Sequence, residues 1–178
     1  MKKTIGFAVL TLALATSAVW AEGMSGMAGM AGMTGMSGMS GESQASRYGK
    51  QKVVYHINTY GAKDQTAALR NIQNHINAVG AANIELKVVM HGDGISLVLP
   101  PDAVEGTKMK EGNANQEMEA RISGLKDQGV QFEVCANTLK GRQVKLEDLY
   151  DASEADVVPS GVAELARLES MGYSYIKP

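Results

Sequence analysis

From residue 51 onward the chain alternates between short apolar runs and longer segments in which apolar residues recur every three or four positions. The short runs are rich in β-branched and aromatic residues and predict strands at 52–58, 83–94, 130–135, 155–161 and 173–178, of which the second runs into a glycine turn. The longer segments predict helices at about 63–79, 113–128 and 161–171, with a short helical piece at 145–150. This alternation indicates an α/β sandwich with a mainly parallel, five-stranded sheet.

Polar and reactive residues collect where the predicted strands end. The carboxyl ends of parallel strands meet at one edge of the sheet, and ligands of such folds bind there. We therefore predict a site at this edge, with Cys135 as the candidate catalytic residue. The candidate ligand-binding residues around it are His56, Asn58, His91, Gly92, Asn137, Ser160 and Gly161.

Cys135 is the only cysteine of the chain, so an intramolecular disulfide is excluded. It follows a predicted strand and precedes a helical turn, whose unpaired N–H groups lower the pKa of a thiol. Thiolate is the form that attacks sulfane sulfur and holds a persulfide. The alternative is a buried, inert cysteine that packs as a small apolar side chain. Cys135 shares one face of its strand with Gln131 and Glu133, which indicates an edge position or a partner subunit over that face.

The other candidate side chains have structural alternatives of their own. A single histidine is more often a hydrogen-bonded structural residue than a catalyst, so His56 and His91 assist Cys135 only if the fold brings them within reach. His75 lies beside Ile72 on a predicted helix and is interpreted as structural. Asp93, in the sequence HGDG, is interpreted as capping a turn rather than binding a metal.

Residues 1–21 have the pattern of a secretory signal peptide. Lys2 and Lys3 precede the short apolar run IGFAVLTLALATSAV, and small residues follow at the positions that a signal peptidase reads. The run is too short for a membrane anchor, so we expect no membrane span after cleavage. The pattern predicts a periplasmic protein.

Residues 22–50 form a predicted flexible tail of low complexity that precedes the domain at 51–178. Gly-Met-small triplets repeat in it without proline, so a collagen helix is not expected. Thioethers are soft ligands that suit Cu(I), which makes the tail a candidate copper site. A linker whose methionines are incidental or consume oxidants is the alternative. The candidate ligands are Met24, Met27, Met30, Met33, Met36 and Met39.

Composition narrows the range of partners. The chain has 178 residues and a formal net charge of −2, and it has no long basic run. Nucleic acid is therefore not an expected partner. The length suits a single domain with one modest core.

Three blocks of the folded part resemble the DsrE/DsrF-like family: VVMHGDGISLVL, GVQFEVCANTL and VVPSGVAELARLESMGYSYIKP. The resemblance extends from Val53 to Pro178. It implies a three-layer α/β/α domain and a homo-oligomer, commonly a dimer, trimer or hexamer. In the better-known branches, which act in sulfur oxidation and in sulfur relay to tRNA thiolation, a cysteine carries sulfur as a persulfide. That cysteine lies in a stretch similar to VCANTLKGR, and Cys135 is at the matching position.

The predicted export signal separates this chain from the cytoplasmic relay proteins, so tRNA thiolation is not expected. The HGDG and PSG blocks are similar to a broader branch of the family whose members bind small ligands without turning them over. Three hypotheses follow. The first is a periplasmic sulfur carrier or sulfurtransferase, which exchanges sulfur through Cys135 with a donor or acceptor protein or a small sulfur compound. The second is a non-catalytic ligand-binding or oligomeric module without a cofactor. The third is a Cu(I)-handling protein that uses its tail.

Overall fold

A computed structural model describes residues 47–178, which fold around one parallel sheet. The signal peptide and the methionine repeat predicted above lie outside these residues. The strands are β1 (Gln51–Ile57), β2 (Ile84–Met90), β3 (Gln131–Cys135), β4 (Val157–Val158) and β5 (Ser174–Ile176). Their order is β4-β3-β2-β1-β5, and each neighbouring pair is parallel. The predicted α/β fold with a mainly parallel five-stranded sheet is confirmed.

The helices that join the strands follow the predicted apolar periodicity. They are α1 (Ala62–Val79), α2 (Gln116–Lys126), α3 (Ala136–Arg142) and α4 (Gly161–Ser170). Helix α1 ends at Gly80, which adopts a positive φ of 88° that favours glycine. Helix α2 begins later than predicted because the Asn115 side chain accepts the Met118 N–H at 3.0 Å and so caps the helix there.

Apolar side chains pack on both faces of the sheet. Alternate residues of β1 divide between the faces: Val53 and Tyr55 join the large core under α1 and α2, whereas Val54 joins a smaller cluster with Leu165 and Leu168 of α4. The sheet is therefore covered by helices on both sides. The single short helix α4 leaves the second face the more polar one, and the candidate site lies on that face.

The second predicted strand runs into a turn at the HGDG glycines, as expected, and this turn continues as a helix. β2 ends at Met90, and Gly92–Leu97 forms a buried 3₁₀-helix instead of a strand end. This path of the backbone requires glycine at position 94, because a Cβ atom there would lie 2.0 Å from the Ile57 carbonyl oxygen. The apolar run after HGDG thus enters the core as a tight turn that packs against the end of β1.

Four further elements differ in length from the predictions. The helical turn expected after Cys135 is the seven-residue helix α3, whereas only Leu146–Asp148 is helical in the predicted piece 145–150. β4 spans two residues and β5 spans three, so both outer strands are shorter than predicted.

Among residues 47–178 no helix combines the length and the hydropathy that crossing a membrane would need.

Candidate thiol site at the carboxyl edge of the sheet

The strand ends bring Cys135, His56 and His91 onto one face at the carboxyl edge of the sheet. His56 lies two residues after Val54 and so on the face of the α4 cluster, and Cys135 follows Val134 of the opposite core and so lies on that same face. Met90 pairs with Val134, so continuing the register by one residue sets His91 beside Cys135. His56 pairs with Val89, so it lies diagonal to His91, and the three side chains gather at the ends of the adjacent strands β1, β2 and β3.

The two histidines are joined by a direct hydrogen bond. The Nε2 atoms of His56 and His91 are 2.7 Å apart, and the rings stack with centroids 4.6 Å apart. On its other side, His56 Nδ1 is 2.7 Å from the hydroxyl oxygen of Tyr175 in β5. A bond between two Nε2 atoms requires one of them to carry the proton and the other to accept it, so the pair shares one proton at this position.

Both histidines are held neutral at pH 7. The pKa of His56 is lowered to about 4, mainly by burial and also by the neighbouring charges of His91 and Lys177. Burial also lowers the pKa of His91, again with Lys177 adding to the effect. A proton added to the accepting Nε2 atom would break this hydrogen bond, so the bond favours the neutral pair.

The Cys135 sulfur lies among hydrogen-bond donors from two helices. Burial acts to raise the pKa of the Cys135 thiol, but hydrogen bonds outweigh it and the pKa lies below its ordinary value. The largest of these comes from the Thr138 hydroxyl, and the others come from the backbone N–H groups of Gly161, Thr138 and Asn137. Donors that point at sulfur stabilise thiolate more than thiol, so this arrangement favours the nucleophilic form.

Gly161 fits tightly between Cys135 and His91. A Cβ atom built on it would lie 2.9 Å from His91 Cβ and 3.3 Å from Cys135 Cβ, both closer than ordinary carbon contacts. Only a glycine lets the first turn of α4 come near enough for its N–H to reach the sulfur. The same close approach covers the thiol, so that Cys135 is only 4% exposed.

This burial differs from the open cleft that a reactive thiol suggests from sequence. The polar residues on the strand face of Cys135 indicated that the strand lies at an edge of the sheet or under a partner subunit. In the structure β3 is an inner strand, with β2 and β4 on either side. The cover comes from the chain itself, through Gly161 and His91. The thiol is nevertheless surrounded by polar groups and is not enclosed in hydrocarbon, because Thr138 and three backbone N–H groups reach it.

The remaining predicted site residues take supporting positions. The Ser160 side chain caps α4 by accepting the Ala163 N–H at 3.4 Å. The Gly92 N–H donates to the Thr138 hydroxyl oxygen at 2.9 Å, and this contact ties the turn after β2 to the helix that follows Cys135. The Asn137 side chain is exposed, so only its backbone contributes to the thiol environment.

Asn58 lies apart from the thiol, at the end of β1. It lines a cavity of about 60 Å³ together with His56 and Lys177. Its buried Oδ1 atom has no hydrogen-bond partner among residues 47–178. The candidate residues therefore divide into a thiol environment and a neighbouring small cavity, and His56 and His91 lie between them.

Sequence reasoning missed three residues of this edge: Thr138, Tyr175 and Lys177. Thr138 carried a local signal, because a hydroxyl three residues after a residue at a helix start commonly faces it. Tyr175 and Lys177 carried none. They reach His56 because β5 pairs with β1, with Tyr175 opposite Val54, and that strand order was not predictable.

The observed contacts agree with the structural interpretation of His75, whereas the Asp93 side chain makes an ion pair and not the expected turn cap. His75 bonds to the Tyr55 hydroxyl at 3.2 Å through Nδ1 and to Gln51 Oε1 at 2.8 Å through Nε2, away from Cys135. The Asp93 carboxylate forms an ion pair with Arg142 of α3. Within the part of the chain that the structure describes, no group of three or more His, Cys, Asp or Glu side chains is arranged to hold a metal ion.

The fold and this edge define an α/β/α protein whose single thiol lies at the carboxyl ends of a parallel sheet. The chain belongs to the DsrE/DsrF-like family, whose model matches residues 52–178. This match covers the sheet except Gln51, the first residue of β1, and includes every residue of the site described above.

Two solved structures are similar to the chain. MTH1491 from Methanobacterium thermoautotrophicum, described as a protein of unknown function, is 26% identical with a TM-score of 0.58, covering 72% of this chain and 100% of its own. The ychN protein from E. coli is 20% identical with a TM-score of 0.49, covering 73% of this chain and 99% of its own. No curated protein matches the chain. The first likeness agrees with the fold described above.

Proposed function

We propose that the protein is an exported, periplasmic sulfur carrier that holds sulfane sulfur on Cys135 as a persulfide. The observation that carries this proposal is the convergence of the Thr138 hydroxyl and the Gly161 N–H on a thiol whose pKa lies below its ordinary value. Such donors also stabilise the negative charge of a bound persulfide, because the outer sulfur of a persulfide is ionised at neutral pH more readily than a thiol.

The proposed reaction exchanges one sulfur–sulfur bond for another. The Cys135 thiolate attacks the outer sulfur of a donor R–S–SH, forms Cys135–S–SH and releases R–S⁻. In the second half, an acceptor thiolate attacks that outer sulfur, and Cys135 departs as the thiolate that the surrounding donors stabilise. Neither half changes the overall oxidation state, so no external oxidant or reductant takes part.

Access to Cys135 requires a local movement, because the thiol is only 4% exposed. The cover consists of the first turn of α4 and the His91 ring, and these contact each other closely at Gly161. Pro159 and Ser160 precede this turn and are exposed and half-buried, respectively. A small displacement of the turn exposes sulfur without unfolding the sheet, as is common for segments near binding sites.

The proposal is tested by mass spectrometry of the full chain after incubation with inorganic polysulfide. We expect native protein to gain one or more sulfur atoms, mapped to the peptide that contains Cys135 and lost on reduction. Cys135→Ser is the matched control, since it keeps the fold and a hydroxyl in place of the thiol, and it should gain no sulfur. The proposal fails if Cys135 stays unmodified in the native protein while the urea-unfolded chain is modified.

A non-catalytic ligand-binding module is the second candidate function. The cavity beside His56, with its unpartnered Asn58 Oδ1 atom, favours it, because a buried acceptor without a donor is satisfied by a bound ligand or water. Under this function Cys135→Ser leaves ligand affinity unchanged in calorimetric titration, whereas a loss of affinity in that variant would favour the sulfur carrier.

We also propose a homo-oligomer, as the family resemblance implies. The exposed side chains of Val162, Met171 and Tyr175, on or next to α4 and β5, support this proposal because large apolar side chains are usually covered. Sedimentation analysis of the full chain would detect a dimer, trimer or hexamer, and a monomer at micromolar concentration would contradict it.

A further inference from the structure

The structure distinguishes small sulfur donors from large ones. Cys135 lies behind Gly161 and His91, and Gly161 approaches both residues so closely that a Cβ atom on it would not fit. A persulfide on a tripeptide or a protein carries its bulk directly beside the reacting sulfur, so it reaches Cys135 only after the cover has opened widely. A donor of two or three atoms needs a much smaller displacement.

The cavity at the end of β1 has a volume suited to such a donor. It measures about 60 Å³ and is lined in part by His56, Asn58 and Lys177. A water molecule takes up about 30 Å³ in the liquid, whereas pockets for drug-sized ligands measure roughly 300–1,000 Å³. The cavity therefore admits a few heavy atoms and excludes a peptide.

The polar groups of the cavity call for a ligand that has both a negative charge and a hydrogen to donate. Lys177 supplies positive charge beside the two neutral histidines. The buried Oδ1 atom of Asn58 lacks a donor among residues 47–178, and the wall also includes the acidic residue Asp64. A dianion without a proton would pair with Lys177 but could not donate a hydrogen bond to Asn58 or Asp64. A monoanion that keeps one S–H group can pair with Lys177 and also donate a hydrogen bond.

On this basis we infer that the sulfur donor is an inorganic hydropersulfide, of the type HS–S⁻, which is captured beside His56 and Lys177 before its sulfur passes to Cys135. This inference rests on the proposed function and specifies the substrate class of that site. The donor keeps its S–H group toward Asn58 and its charge toward Lys177.

The transfer step balances without any further reagent. The Cys135 sulfur forms a bond to the sulfur of the donor that carries hydrogen, and the S–S bond of the donor breaks. The proton of the Cys135 thiol leaves with the departing sulfur, so the products are Cys135–S–SH and HS⁻. The His56–His91 pair lies between the cavity and the thiol, so the donor crosses when the His91 ring turns away from His56.

The test compares two donors on the full chain: inorganic disulfide, added as its sodium salt, and glutathione persulfide. The rate at which Cys135 gains sulfur is measured by mass spectrometry, and each rate is divided by the rate of the same donor with free cysteine. We expect this ratio to be larger for the inorganic donor by at least about tenfold, because only the larger donor needs wide opening. Equal ratios would overturn the inference.

A charge variant tests the capture site separately. Lys177→Met should slow sulfur uptake from the inorganic donor by about threefold or more, since the removed charge attracts the anion. Lys145→Met is the matched control, because Lys145 is exposed and pairs with Glu147 on a different loop. Equal rates in the two variants would overturn the capture site. If neither donor modifies Cys135, the proposed function fails as well, whereas sulfur uptake without donor preference refutes only this inference.

Discussion

Replacing Gly161 with alanine tests the contact on which the thiol environment depends. The added methyl group would lie 2.9 Å from His91 Cβ, 3.1 Å from His91 Cδ2 and 3.3 Å from Cys135 Cβ. Carbon atoms pack best at about 3.5–4.0 Å, so all three contacts are too short and the first turn of α4 must move away. Overpacking of this kind typically costs about 1–3 kcal/mol.

A second effect of the substitution offsets part of this loss of stability. Alanine restricts the unfolded chain more than glycine does, which stabilises a protein by about 0.4–1 kcal/mol where the backbone tolerates it. We therefore expect Gly161→Ala to lower the free energy of unfolding by roughly 1–2 kcal/mol. We also expect the pKa of the Cys135 thiol to rise, because the Gly161 N–H moves away from the sulfur.

The assay combines urea unfolding with the pH dependence of Cys135 alkylation. Gly124→Ala is the matched control, since Gly124 lies within α2 and a Cβ atom there meets nothing within 4 Å. That variant should gain about 0.5–1 kcal/mol of stability and keep the wild-type thiol pKa. If Gly161→Ala is as stable as Gly124→Ala and its thiol titrates as in the wild type, the proposed contact between α4 and the sulfur is refuted.

Three further predictions concern acid stability, the buried ion pair and the tail. The pKa of His56 is about 4 in the folded protein and 6.5 ordinarily, so the neutral, buried ring stabilises the fold fully above about pH 6.5, and this stabilisation is lost as the pH falls toward 4. His56→Gln should therefore make the free energy of unfolding, measured in urea, fall less steeply over this pH range. An unchanged slope would show that His56 does not cause the decline. Lys87→Met should lower the free energy of unfolding by about 3–5 kcal/mol, because Lys87 Nζ lies 2.6 Å from the buried Glu133 carboxylate, which would be left without its partner. Adding Glu133→Gln to this variant should restore part of the lost stability in urea unfolding. A loss below about 1 kcal/mol would show that the ion pair is solvated. Deleting residues 23–41 should lower the Cu(I) stoichiometry measured by competition with a chromogenic chelator, and an unchanged value would reject copper binding by the tail.

Much of the fold could be predicted from the chain because the signals are local. The apolar stripe of α1 ends at Gly80, and the run before Cys135 alternates between two faces, which specifies a helix and a strand without reference to the rest of the molecule. Where a tertiary contact governs, the local signal was incomplete. The HGDG glycines indicated a turn, but only the fold shows that Gly94 lies against Ile57 and that Gly92–Leu97 forms a 3₁₀-helix.

The candidate site divides in the same way. The sequence by itself determined that His56, His91 and Cys135 lie near strand ends, because parallel strands direct their carboxyl ends to one edge. Only the tertiary structure decided that the two histidines share a hydrogen bond, that Tyr175 of β5 and Lys177 just after it join them, and that α4 covers the sulfur. These contacts depend on strand order and on how closely one glycine lets a helix approach, and both are set by packing between residues far apart in the chain.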